Sequence, residues 1–354
     1  MANIYKNLSP DDIITVKKKV TQGVFSGNAS TLTSFFTGSQ AAETGSTGRG
    51  LYHIDVFNTG STLSTAAVQF SLAYGHESGS GAPTVATDSG SRIPTQAVYR
   101  QYSNTLLPVT ETRFTFYSGS TADAHNSNDI FAINFSRTRI REELDVDSFE
   151  IHLSGSNGVF KFVDDSGNVS NPTIGPGGAV YNIASGTIDY TTTGSDITTY
   201  TASNGEGYGK FYPESGIVVL NPSAIGDTVG TINGVEITGS TTNTAADTYD
   251  LQHFTLFDSL VGGSYIKARS AEDLTSQAYF VRVRNREFNF SNNPTYTTGS
   301  DKQIIDDLYN EPLSYITTVG LYNDNNELLA VAKTSRPVEN ARDTESLIKI
   351  KIDF

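Results

Sequence analysis

Apolar side chains recur at every second position along much of this chain. Ile14, Val16 and Val20 share one parity, interrupted by Lys18. Ile54 and Val56, flanked by Tyr52, repeat the pattern, as do Val68, Phe70, Leu72 and Tyr74. Ile130 to Phe135, Phe149 with Ile151 and Leu153, Val159 to Val163, and Ile217 to Leu220 continue it. Successive side chains of a strand point to opposite faces, so each run predicts a strand with a buried side. Clusters of Gly, Asn, Asp and Ser between the runs supply turns.

The pattern is densest near the C-terminus. Tyr279, Val281 and Val283 face one way, with Phe280, Arg282 and Arg284 opposite. The segments 314–322 and 327–333 flank Asn323-Asp324-Asn325-Asn326, a hairpin signal, and the final SLIKIKIDF puts Ile348, Ile350, Ile352 and Phe354 on one side. That last alternation predicts a final strand held in a sheet. A small hairpin is expected around Asn233-Gly234. Helical spacing is rarer. It covers 94–107, opened by Pro94 with Val98, Tyr102 and Leu106 one turn apart. It covers 247–261, capped by Asp247, with Leu251, Phe254 and Phe257 on one side and Gly262 as the stop. A short third helix fits 302–309.

Stretches 37–50, 77–92 and 185–207 are rich in Gly, Ser and Thr and read as loops or linkers. They divide the chain into an N-terminal β region (1–90), a helix-plus-sheet region (91–165), a variable Gly/Thr-rich β insertion (166–250) and a C-terminal β domain (251–354). The expected fold is mainly β, of sandwich or mixed antiparallel sheets, multi-domain, with two or three short packing helices.

Composition agrees: 18 Tyr and 19 Phe give much to bury, while only 18% of residues are charged. The net charge of −14 comes with no basic block beyond Lys17 to Lys19, which reads as a solvated strand end. Counterion release on nucleic acid needs clustered cations, so that partner is not expected. Cysteine is absent, which removes disulfides, thiolate metal sites and thiol nucleophiles. No apolar leader or membrane-length run is visible, so the expectation is a soluble protein made in the cytoplasm, without a membrane partner.

Candidate chemistry is sparse. His53, His76, His125, His152 and His253 are scattered, and the zinc-protease, serine-hydrolase and phosphate-loop motifs are missing. NGEGYGKF, ending at Phe211, has the wrong spacing for a phosphate loop and reads as a flexible turn. Asp123, His125, Asn126, Asn128 and Asp129 could offer oxygens to a hard cation but read better as a solvated loop. Asp164 to Asn168 reads as a hairpin turn. Arg137, Arg139 and Arg141 beside Glu142 and Glu143 read as surface pairs. Glu206 and Glu214 are the first suspects for a glycan-degrading carboxylate pair, without spacing to support it. Arg282, Arg284 and Arg286 on one strand face need acids or solvent, and those acids could belong to a neighbouring subunit. No catalytic, cofactor or metal residue is expected.

Residues 279–298, YFVRVRNREFNFSNNPTYTT, and 314–354 resemble a family of virion structural proteins. These belong to T-even-like contractile-tailed phages, including phages of marine bacteria and cyanobacteria. YHIDVFN at 52–58, FAINFSRTR at 131–139 and YPESGIVVLNPS at 212–223 look similar too. The closing pattern of hairpin, Arg336-Pro337 and alternating strand is similar to the end of baseplate wedge subunits. The matching positions are Phe288, Asn289, Phe290, Asn292 to Pro294, Gly320 to Tyr322, Arg336 and Pro337.

The resemblance implies a non-enzymatic subunit in the virion, at its tail or baseplate. It would act through contacts with other tail proteins and with copies of itself. The expected interface residues are Arg282, Arg284, Arg286, Phe288, Phe290, Tyr322, Arg336, Ile350, Ile352 and Phe354. The alternatives are a receptor- or glycan-binding fibre or spike, or a tail or neck connector.

Overall fold

A computed structural model describes residues 5–26, 37–38, 53–57, 64, 67–79, 94–117, 124–169, 171–190, 196–200, 207–232, 235–236, 252–291, 293–298 and 303–353. The chain is mainly β, with several antiparallel sheets and a few short helices, as expected. It divides into two compact units: Val20–Glu272, and Met1–Lys19 joined with Asp273–Phe354.

The larger unit contains, in chain order, the end of β1 (Ile13–Ser26), β2 (His53–Phe57), β3 (Val68–His76), β4 (Phe114–Tyr117), β5 (Ala124–Ser127), β6 (Asp129–Phe135), β7 (Glu150–Gly155) and β8 (Gly158–Asp164). Then follow β9 (Gly178–Tyr190), β10 (Gly209–Tyr212), β11 (Ile217–Leu220) and the start of β12 (Tyr265–Val283). Its helices are α1 (Pro94–Leu106), α2 (Pro222–Val229) and α3 (Gln252–Gly263). The main sheet runs β12-β7-β8-β9-β10-β11-β6-β3-β2, and neighbours are antiparallel.

Opposed residues share a face, and the register lines up Ile54, Leu72, Ile133, Val218, Phe211 and Tyr181 across six strands. With Phe70, Phe131, Phe135 and Leu220 that row forms the main core, closed by Ile225 and Val229 of α2 and by Leu256 and Leu260 of α3. The other face carries Ala73, Ala132 and Val219 against Tyr99, Tyr102 and Leu106 of α1, and against Phe114 and Phe116 of the β4–β5 hairpin. A sheet covered on both sides explains why β6, DIFAINF, is nearly continuous in apolar residues.

Several expectations are corrected here. Stretch 185–207 is not all loop: β9 reaches Tyr190 and pairs with Asp196–Tyr200. The end of NGEGYGKF is no flexible turn, since Gly209 to Tyr212 form β10 inside the sheet. α2 was not anticipated, although Pro222 at its start, Ile225 and Val229 four apart, and Gly230 as its cap carry the signal. α3 starts at Gln252 and buries Leu256, Ser259 and Leu260, while Phe254 and Phe257 only flank the core. The polar Ser259 is admitted because its hydroxyl donates to Ser154 O at 2.9 Å. The predicted cap at Asp247 lies outside the described residues.

In the smaller unit, β13 (Ser314–Tyr322) and β14 (Leu328–Asn340) form a two-stranded sheet, and β15 (Ser346–Asp353) pairs with β12. The β12–β15 register sets Gln277 opposite Ile352, Tyr279 opposite Ile350 and Val281 opposite Ile348, so the anticipated alternation matches across the pair. β14 extends well past the expected 333. It absorbs Arg336-Pro337 where the register shifts, between the pairs Ile316–Val338 and Thr318–Lys333. Proline has no amide to donate, and an irregular stretch is where a strand tolerates it.

Candidate interaction surface

The smaller unit buries little. Among its described residues the buried apolar side chains are Ala278, Val283, Tyr296 and Ile350. Its strands instead expose Tyr315 (56%), Leu329 (69%), Val331 (55%) and Leu347 (65%), together with Tyr322 and Leu328. A two-stranded ribbon is marginal in water on its own. β13–β14 is such a ribbon: among the described residues no third strand pairs with it, and its outer side mixes these apolar side chains with polar ones.

On that outer side the register places Tyr315 opposite Glu339, Thr318 opposite Lys333, Gly320 opposite Val331 and Tyr322 opposite Leu328. Gly320 leaves a gap that Tyr322 and Leu328 lean across; a Cβ there would lie 2.9 Å from the Tyr322 ring. Tyr5 meets the same ring edge-on at 5.1 Å. The ribbon's tip is fixed by Asn323, whose Oδ1 accepts from the amides of Asn325 (3.0 Å) and Glu327 (2.8 Å).

The arginine row expected on one strand face does not exist. β12 ends at Val283, because Arg284 to Glu287 turn: the Glu287 amide donates to Arg284 O at 3.0 Å. Arg282 alone is on the strand and meets Glu345 at 2.6 Å. Both partners are exposed, so that pair is worth little. Arg284 and Arg286 lie beyond the strand and are exposed, with no ion pair among the described residues. From Arg284 to Phe290 exposure still alternates, with Arg284, Arg286, Phe288 and Phe290 outward. Asn285, Glu287 and Asn289 are turned inward.

The inward side is a polar knot around Asn340, which is 1% exposed. Its Nδ2 donates to Glu287 O and Asn289 Oδ1, each at 2.8 Å. Asn289 Nδ2 donates to Asn285 O at 2.7 Å, and Asn285 Nδ2 to Arg342 O at 2.7 Å. Ser314 Oγ donates to Phe288 O at 2.9 Å, and the Tyr296 hydroxyl to Asn289 O at 2.8 Å. The Lys6 ammonium donates to Glu287 and to Arg282 O; with the Arg284 amide it holds the Glu287 carboxyl below the usual range. Phe288 sits at φ 58°, a region that a bulky side chain rarely adopts. Lys6, Asn340 and Ser314 escape sequence reading because they come from three distant segments. Only the spacing of Asn285 and Asn289 hints at the network.

The remaining expected residues are dispersed. Ile350 is buried, Ile352 is half-buried, and Arg336 is exposed at the β14 irregularity. Phe354 lies outside the described residues, as do Asn292, Asp123 and Glu206. Phe290 is exposed and packs edge-on against Tyr296 at 5.5 Å.

The other candidate chemistry takes structural roles. Asp129 belongs to no solvated loop: it is buried in β6, accepting from the Tyr74 hydroxyl at 3.3 Å and from Ser127 Oγ at 3.3 Å. Alternation turns Asn126 outward to Thr115, so the two do not converge on a cation. Among the described residues no group of three His, Asp or Glu could hold a metal. Glu214 is exposed and accepts from the Ala179 amide at 3.1 Å. Arg137 donates to the carbonyls of Glu142 and Glu214, and Arg141 pairs with Glu272 at 2.9 Å. No family model matches this chain, and no curated protein or solved structure matches it.

Proposed function

We propose that this chain is a structural subunit of a tailed-phage virion, a baseplate wedge component of a contractile tail. It acts through contacts with other tail proteins and with copies of itself, and it is not an enzyme. The observation that carries this reading is the smaller unit, whose apolar strands face outward while few of its apolar side chains are buried. Exposed patches of that kind mark protein contacts. The likeness of residues 279–298 and 314–354 to virion structural proteins supplies the particle and the tail. A net charge of −14 disfavours a nucleic-acid role inside the particle.

The test is to label purified particles with an antibody against the chain and image them. Label at the baseplate end of the tail is expected. A chain missing from purified particles, or one that binds host glycans in isolation and labels the fibres, contradicts the placement.

A further inference from the structure

We infer that the segment Arg284–Phe290 is a preformed docking site for an acidic protein surface. This deepens the assembly reading, on which it rests, by naming the chemistry of one partner.

Three observations converge on it. First, the segment presents Arg284, Arg286, Phe288 and Phe290 outward in alternation. The chain turns here, with the Glu287 amide donating to Arg284 O at 3.0 Å, so two guanidiniums and two rings are displayed from one short turn. Second, both guanidiniums are exposed without an ion pair among the described residues, although the neighbouring Arg282 has Glu345 and Lys6 has Glu287. Glu345 and Glu287 are thus already engaged, Arg284 adds only a weaker pull on Glu287, and both guanidiniums keep their forks open to a partner's carboxylates. Third, the display is rigid. Asn285, Glu287 and Asn289 are tied down by Asn340, Arg342, Lys6 and Tyr296, and the fixed turn holds Phe288 at φ 58°. A strained, exposed aromatic ring persists only where the surroundings over-determine it.

Arginine and aromatic side chains are the types that dominate binding energy at protein contacts. A planar guanidinium fork selects carboxylates. The rings ask the same partner for apolar surface between its acids. That combination fits a protein surface on which Asp or Glu stands beside apolar side chains.

The test uses particles assembled with the full chain, counting its copies per particle by mass spectrometry. The double variant Arg284→Glu/Arg286→Glu is expected to lower occupancy at least about tenfold, because like charges then face each other. Arg284→Lys/Arg286→Lys, which keeps the charge and loses the fork, should lower it less. Lys17→Glu/Lys18→Glu, an equal charge change on exposed β1, should leave it unaltered. Circular dichroism and melting of each free variant separate lost docking from lost folding. Wild-type chain in particles with undiminished occupancy of the Arg-to-Glu variant overturns this site alone. Wild-type chain missing from particles overturns the assembly reading with it. Binding of a sulfated glycan that the Arg-to-Glu change abolishes, with occupancy unaltered, assigns the site to a different ligand and overturns the protein partner.

Discussion

Asp164 shows how a residue read as part of a turn can be a clamp. It ends β8 fully buried, and its carboxylate accepts from the amides of Asp147 (3.0 Å), Phe149 (2.9 Å) and Ser166 (3.2 Å) and from the Ser166 hydroxyl. Burial outweighs those donors and pushes the carboxyl up to about 6. Between roughly pH 4 and 6 the folded chain therefore holds a proton that the unfolded chain releases, and this group favours folding more as pH falls. Asp164→Asn, which cannot accept from all these donors, should cost about 1–3 kcal/mol in urea unfolding. The gap between wild type and variant should widen from pH 7 to pH 5. A gap that narrows toward acid contradicts the assignment. The turn itself was legible in Asp-Asp-Ser-Gly-Asn, but the clamp was not, because two of its donors, the amides of Asp147 and Phe149, lie 17 and 15 residues earlier in the chain. Phe288 is a residue of the opposite kind, exposed and strained. Phe288→Gly should leave stability unaltered or raise it by about 1 kcal/mol, since glycine accepts φ 58° freely. A clear loss in melting temperature would show that the ring is structural.

At the scale of elements, alternation located most strands because each has one committed face. It failed where a strand was not apolar enough to show, as in β9 and its partner at 196–200, or where an irregularity split the pattern, as in β14. Helix α1 was legible from Pro94 and the spacing of Val98, Tyr102 and Leu106. Its close seat on the sheet was not. A Cβ on Gly75 of β3 would lie 2.7 Å from the Tyr99 amide, and helix backbone cannot yield as a flexible side-chain end can. Gly75→Ala should therefore lower stability by about 1–3 kcal/mol in thermal melts. Unaltered melting contradicts that packing. The candidate surface divides in the same way. Its outward residues Arg284, Arg286, Phe288 and Phe290 could be named from the sequence, whereas the end of β12 at Val283 and the Asn340 knot behind them could not.

Across the whole molecule, charge and apolar exposure are segregated. The smaller unit carries 13 Lys and Arg against 14 Asp and Glu, a balance of −1, and the larger unit 11 against 24, or −13. The near-neutral unit is also the one with few buried apolar side chains. Self-repulsion is least there, which suits a surface meant to meet other proteins. Grouping of the two chain ends into one unit is a contact pattern that composition along the chain does not encode. Unfolding of the isolated chain should proceed in two steps, the smaller unit first. Its midpoint should rise with protein concentration wherever copies associate, while the midpoint of the larger unit stays fixed. A single concentration-independent transition by calorimetry contradicts that division of stability. The most direct measurement is the density of the assembled particle around β13, β14 and Arg284–Phe290. The prediction is that protein from neighbouring subunits covers Tyr315, Tyr322, Leu328 and Val331 and brings carboxylates to Arg284 and Arg286. Those side chains left open to solvent in a particle that contains the chain would contradict the account.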